Sequence, residues 1–116
     1  MSSPAQPARA SHLPSGPFRL AEVASGRLAA EGPLTFASAR AAWRLGLEAL
    51  QGGAAGPLEI DCRGIMPSDS AGLAVLLDWL AIAKSQGRAL RFSNLPPGLA
   101  ALGRISEVSE LLERGV

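Results

Sequence analysis

The sequence predicts an α/β fold, a single domain with a small mixed four-stranded sheet and helices packed mainly on one face. Two observations carry this expectation. The predicted elements run in the order β-β-α-β-α-β-α, which suits a layer of helices on a sheet. Within that order, Leu58 to Gln86 reads as a strand, an irregular turn and the longest apolar helix of the chain. Leu58, Ile60 and Cys62 alternate with Glu59 and Asp61, the period of a strand with one buried face. Arg63, Gly64, Pro67, Ser68 and Asp69 then break the pattern. From Ser70 the apolar spacing is helical, with Leu73, Leu76, Leu77, Leu80 and Ala83 in one stripe, Asp78, Lys84 and Ser85 opposite, and Gly87 as the stop.

The remaining elements follow in chain order. Residues 1–17 are rich in Ser, Pro and Ala and read as a disordered tail, with the domain spanning 18–116. Phe18 to Val23 and Arg27 to Glu31 are predicted strands joined by Ala24, Ser25 and Gly26 in a hairpin, the second ended by Gly32 and Pro33. A helix is predicted from Phe36 to Leu50, capped by Thr35 and stopped by Gly52 and Gly53. Phe36, Trp43, Leu47 and Leu50 share its apolar face, with Ala39 close by. Ala89 to Ser93 is the fourth strand, followed by a loop from Asn94 to Gly98. Two short helical segments come last, Leu99 to Leu102 and Ser106 to Glu113. Their residues Leu99, Leu102, Ile105, Val108, Leu111 and Leu112 are expected to close the edge of the core.

Composition excludes several functions. A net charge of +1 over 116 residues gives no basic surface for nucleic acid, and no Lys/Arg run suits anionic lipid. The apolar run from Ala71 to Ala83 is too short to span a bilayer, which takes ~20 residues. The first residues lack the apolar segment of a signal peptide, so the expected compartment is the cytoplasm. The single cysteine, Cys62, lies on the apolar side of its strand and reads as a small buried hydrophobe.

The chemistry-bearing residues gather in the turn Ser68, Asp69, Ser70, Ala71, Gly72. A Ser or Asp there caps the following helix, whose positive end also suits an anion or a phosphoserine. Catalysis finds little support. Ser70 lies two residues before Gly72, as in a nucleophile elbow, but Ser68 stands where the first glycine is required. The one histidine, His12, falls in the expected tail, so a serine nucleophile would lack its base. One Cys and one His build no usual zinc site, and no G-x-x-x-x-G-K-S/T loop is present. Asp61 and Asp69 read better as a hydrogen-bond acceptor and a cap than as metal ligands. The chain is read as non-enzymatic, with no cofactor and no catalytic or metal-binding residues.

The strand ending in I-D, the short turn, and D-S-A-G-L opening a leucine-rich helix resemble the signature of the STAS family. K-S-Q-G-R-A-L-R-F leading into the next strand adds to the resemblance. That family includes anti-sigma factor antagonists, STAS tails of anion transporters and the small MlaB-like subunits of phospholipid ABC transporters. The resemblance implies the same fold and a protein-binding role. In anti-sigma antagonists the phosphorylated serine directly precedes the glycine, and here that position is Ala71. Ser70 instead matches the hydroxyl residue of the MlaB-like pattern, where the resemblance implies a contact with the ABC transporter ATPase.

The expected partner-binding residues are therefore Met66, Ser68, Asp69, Ser70, Ala71, Ala74, Val75, Asp78 and Trp79. Val75 and Trp79, with Ile82, form an apolar flank of the helix that is either covered by a neighbouring segment or faces a partner. The expected function is a cytosolic adaptor of a lipid-type ABC transporter, at the inner face of the membrane only through that complex and without inserting itself. The alternative is an anti-sigma factor antagonist binding a kinase-type anti-sigma factor, with Ser70 phosphorylation a minority reading.

Overall fold

The computed structural model describes residues 16–52 and 56–116. Nearly all of the expected tail, 1–15, and the expected helix stop Gly53 lie outside the described residues. The strands are β1 (Arg19–Ala24), β2 (Arg27–Leu34), β3 (Leu58–Ser68) and β4 (Leu90–Ser93). The helices are α1 (Ala39–Gln51), α2 (Ser70–Ser85), α3 (Pro97–Ile105) and α4 (Ser109–Arg114). The sheet order is β1-β2-β3-β4. β1 and β2 form an antiparallel hairpin, while β2/β3 and β3/β4 run parallel, so the sheet is mixed as expected.

One face of the sheet supplies the core. Leu28, Ala30 and Leu34 of β2, Leu58, Ile60, Cys62 and Ile65 of β3, and Leu90 and Phe92 of β4 are all buried. The residues between them face away and carry charge, with ion pairs Arg19–Glu31, Arg27–Glu59 and Arg91–Glu59 across the strands. Exposed pairs of this kind contribute little to stability, roughly 0–1 kcal/mol each. They keep the face soluble and unattractive to another sheet. Burial, and second the charge of Asp61, push the Cys62 thiol up to about 12, so the group stays a neutral apolar filler.

β3 is longer than the alternation of Leu58 to Cys62 suggests. Asp61 pairs with Ala29 and Gly64 with Glu31, so β3 spends one more residue than β2 over this step. The same happens between Ile65 and Ser68 opposite Gly32 and Leu34. These bulges carry the strand through Gly64 and Pro67, the residues expected to end it. β2 likewise continues past Gly32 and Pro33 to Leu34.

α1 begins later than expected. Thr35 does not cap it. Ser38 holds the cap position, and its hydroxyl accepts from the Thr35 N–H at 3.0 Å and donates to the Pro33 carbonyl at 2.7 Å. That closes the turn and leaves Phe36 outside the helix, 85% exposed, rather than on the core face. The buried side of α1 is Ala42, Gly46 and Leu50, with Trp43 half-buried and Leu47 turned toward the edge. Its end is tied down by Arg88, whose guanidinium donates to the carbonyls of Leu50 at 2.7 Å and Gly56 at 2.8 Å.

α2 is the central helix. It lies against the sheet and also against α1, so more than one stripe is covered. Leu76, Trp79 and Ala83 are completely buried and Leu73, Val75 and Leu80 nearly so. Gly87 has φ +69° and lets the chain reverse, with Arg88 N–H bonded to Ala83 O at 2.9 Å and Gly87 N–H to Lys84 O at 3.1 Å, the paired bonds of a Schellman motif. α3 starts at Pro97, inside the expected loop, because proline suits a first helical position. Leu99 and Leu112 close the core as expected, whereas Ile105 is 78% exposed.

Candidate interaction site at the carboxyl end of the parallel strands

β2 and β3 end side by side, Leu34 opposite Ser68, and the chain turns there into α2. Asp69 makes that turn. Its backbone is extended at the N-cap, and its Oδ1 accepts the Gly72 N–H at 3.1 Å, one of the donors the helix start leaves unpaired. Its Oδ2 accepts the Phe36 N–H at 3.0 Å, from the segment between β2 and α1. The Phe36 N–H lowers the Asp69 pKa most; burial opposes it, and the Gly72 and Ala71 N–H groups add to the lowering. The carboxylate is thus spent on joining two backbone segments. Gly72 completes the joint, since a Cβ there would run into the Leu34 carbonyl.

Asp61, the other candidate metal ligand, accepts the Arg63 N–H at 3.0 Å and the Asn94 amide at 3.1 Å, which hold its pKa low. The two carboxylates act as an acceptor and a cap.

With Asp69 turned inward, Ser70 is displayed. It is the first residue of α2, exposed, and its hydroxyl has no hydrogen-bond partner among the described residues. Ala71 is half-buried and Ala74 and Asp78 are exposed along the same helix. Met66, 65% exposed, stands on β3 just before the turn, and Ser68 is half-buried beside it. The structure therefore sets Asp69 and Ser70 at the turn, with Met66 and Ser68 on one side of this rim and Ala71, Ala74 and Asp78 on the other.

Two of the expected residues are buried, although Val75 still lines the hollow between α1 and α2. Trp79 is fully buried and Val75 is 5% exposed. The indole N–H of Trp79 donates to the Trp43 carbonyl at 3.2 Å, and its ring lies 6.2 Å from that of Phe18. α1 covers Trp79 because Gly46 has no side chain to hold the helices apart.

The rim also has members that the sequence reading did not single out. Phe36 is the most exposed large apolar residue at this end. Arg40, Trp43 and Arg44 of α1 face Ala71, Ala74 and Asp78 across a groove of about 480 Å³. A second hollow, lined by Arg63, Met66, Ser68, Leu95 and Pro97 among others, lies on the other side of the turn. The displaced start of α1 was the missed signal, because a cap at Ser38 instead of Thr35 puts Phe36 outside the helix.

A family model described as "Mlab, STAS domain" matches residues 19–113. The chain belongs to this STAS domain family. No curated protein is close enough in sequence to count as a match. Among solved structures, the STAS fold matches one described as the anti-sigma factor antagonist SpoIIAA in its unphosphorylated form. The TM-score is 0.60 at 14% identity, over 80% of this chain and 83% of the other, a likeness of fold. No helix among the described residues is long and apolar enough to cross a membrane.

Proposed function

We propose that this STAS domain is a non-enzymatic adaptor that binds the ATPase subunit of a lipid-type ABC transporter and supports its assembly or activity. It would act in the cytoplasm and reach the membrane only through that complex. The family match to the Mlab STAS domain, a kind of domain that acts as a protein-interaction module, supports a binding role. The observation that carries the reading is the division of labour at the turn. Asp69 satisfies the fold, and the neighbouring exposed Ser70 hydroxyl, without a hydrogen-bond partner among the described residues, is available to another protein. Ala71 precedes Gly72, at the position where anti-sigma antagonists carry their phosphorylated serine. Around Ser70, the exposed Phe36 and Met66 offer apolar anchors of the kind found at the centre of interfaces.

A second reading draws on the same hydroxyl. Ser70 sits at the positive end of a 16-residue helix, a place that favours a phosphoryl group. Under that reading the chain is an anti-sigma factor antagonist.

Three variants of Ser70 separate the readings. Ser70→Ala should leave stability within about 0.5 kcal/mol, because Asp69 is the cap. Ser70→Arg should stay folded and no longer co-purify with the transporter ATPase. Ser70→Asp should also fold. If Ser70→Asp releases an anti-sigma kinase from a chain that never captures the ATPase, the adaptor reading is wrong.

A further inference from the structure

The groove between α1 and α2 carries a charge arrangement that stability does not explain. Arg40 and Arg44 stand one turn apart on α1, both exposed, and neither forms an ion pair among the described residues. Arg40 lies in the first turn, which holds no acidic residue, and the positive end of a helix disfavours a cation. Asp78, on the opposite wall, is also exposed and without an ion pair among the described residues. Ala71 and Ala74 leave room between the walls, and Trp43 is half-buried alongside.

We propose that Arg40 and Arg44 are specificity residues that read two carboxylates, one turn apart, on an amphipathic helix of the partner protein. The apolar edge of that helix lies on Trp43 and Ala74. This inference rests on the adaptor reading and names the chemistry the partner must present. Charge complementarity selects the occupant. Cations at i and i+4 match carboxylates repeating at the same spacing, and such pairs set choice of partner more than raw affinity. Asp78 takes a basic residue of the same helix. It also repels a uniformly anionic layer, which favours a protein helix over a lipid surface.

The test uses the full chain and two synthetic amphipathic peptides. They share a leucine stripe and differ at one i,i+4 pair, Glu in one and Lys in the other. The wild-type chain should bind the Glu peptide about tenfold more tightly, a difference that shrinks as salt is raised. The double variant Arg40→Glu/Arg44→Glu should invert the preference. It should stay folded, since both positions are exposed and an acid at position 40 suits the positive end of α1, offsetting the like charges that position 44 then shares with Glu48. Equal affinity for both peptides, or a preference unchanged by the reversal, overturns the proposal. So does binding to vesicles of anionic phospholipid without peptide discrimination, or a self-association that the double variant abolishes. The two readings fail separately. A wild-type chain that captures no transporter ATPase defeats the adaptor reading, whereas capture undiminished by the double variant defeats only the role of the two arginines.

Discussion

Trp79 occupies the space that a side chain on Gly46 would need. A Cβ at Gly46 would overlap the indole ring, so α1 and α2 approach at this point only because one residue is the smallest and the other among the largest. The same contact places the Trp79 N–H on the Trp43 carbonyl and fixes the wall of the groove beside α2.

Gly46→Ala should therefore destabilise the domain by about 1–3 kcal/mol, the usual cost of overpacking. Adding Trp79→Leu should make the alanine nearly harmless, because the atoms it strikes are gone. Denaturant titration of the two single variants and the double variant measures the coupling. A coupling near zero would show that the helices do not meet through this pair.

Asp69→Ala should cost roughly 0.5–2 kcal/mol near neutral pH through the lost cap, with loosening of Phe36 in addition. The sign of its pH dependence follows from the lowered pKa. The folded state binds the Asp69 proton less readily than the unfolded chain, so its stabilisation is complete above the ordinary value of 3.8 and fades as the pH falls through the lower folded value. Stability curves of wild type and variant should run parallel at higher pH and converge in acid. Curves that stay parallel throughout would mean that the charge of Asp69 does not matter.

Arg88→Ala should cost about 1.5–3 kcal/mol, the range for hydrogen bonds to a charged group, because it strips the donors from the carbonyls of Leu50 and Gly56. Arg88→Lys should restore little, since a single ammonium cannot span both acceptors. Full rescue by lysine in a thermal melt would assign the effect to charge alone.

Leu76→Ala and Leu80→Ala should each cost about 2–5 kcal/mol. Both side chains are essentially without solvent contact in the middle of α2. Chemical denaturation that found either variant near wild type would contradict the burial of that stripe.

The sequence announced much of what depends on neighbours along the chain, but not the Ser38 turn that opens α1. The alternation at Leu58 to Cys62 and the leucine spacing of α2 follow from one-sided burial. Gly87 follows from its left-handed backbone, and the acidic cap follows from unpaired N–H groups at the start of α2. Contacts between distant segments were not legible. Phe36 reads as a helix residue until it is known that Asp69, far along the chain, takes its N–H. The facing of Trp79 was ambiguous for a related reason. A helix covered by a sheet on one side and by α1 on the other is apolar over most of its circumference, so the spacing alone does not choose its free side. Of the expected positions, those that follow the turn, Ser68 to Ala71, lie exposed or half-buried, whereas Val75 and Trp79 are buried because another helix packs on them.

The extra residue in the middle of β3 reaches beyond pairing. Arg63 and Gly64 both face outward, and that break in phase brings Ile65 in and turns Met66 out. A Cβ on Gly64 would come within 2.9 Å of the Glu31 side chain and 3.0 Å of the Ala30 carbonyl, so the kink is tuned to a residue with no side chain. Strand length therefore acts as a dial. One residue inserted or removed between Cys62 and Met66 would trade Ile65, now in the core, against its outward neighbours and so exchange which side chains this end of the domain shows to other molecules.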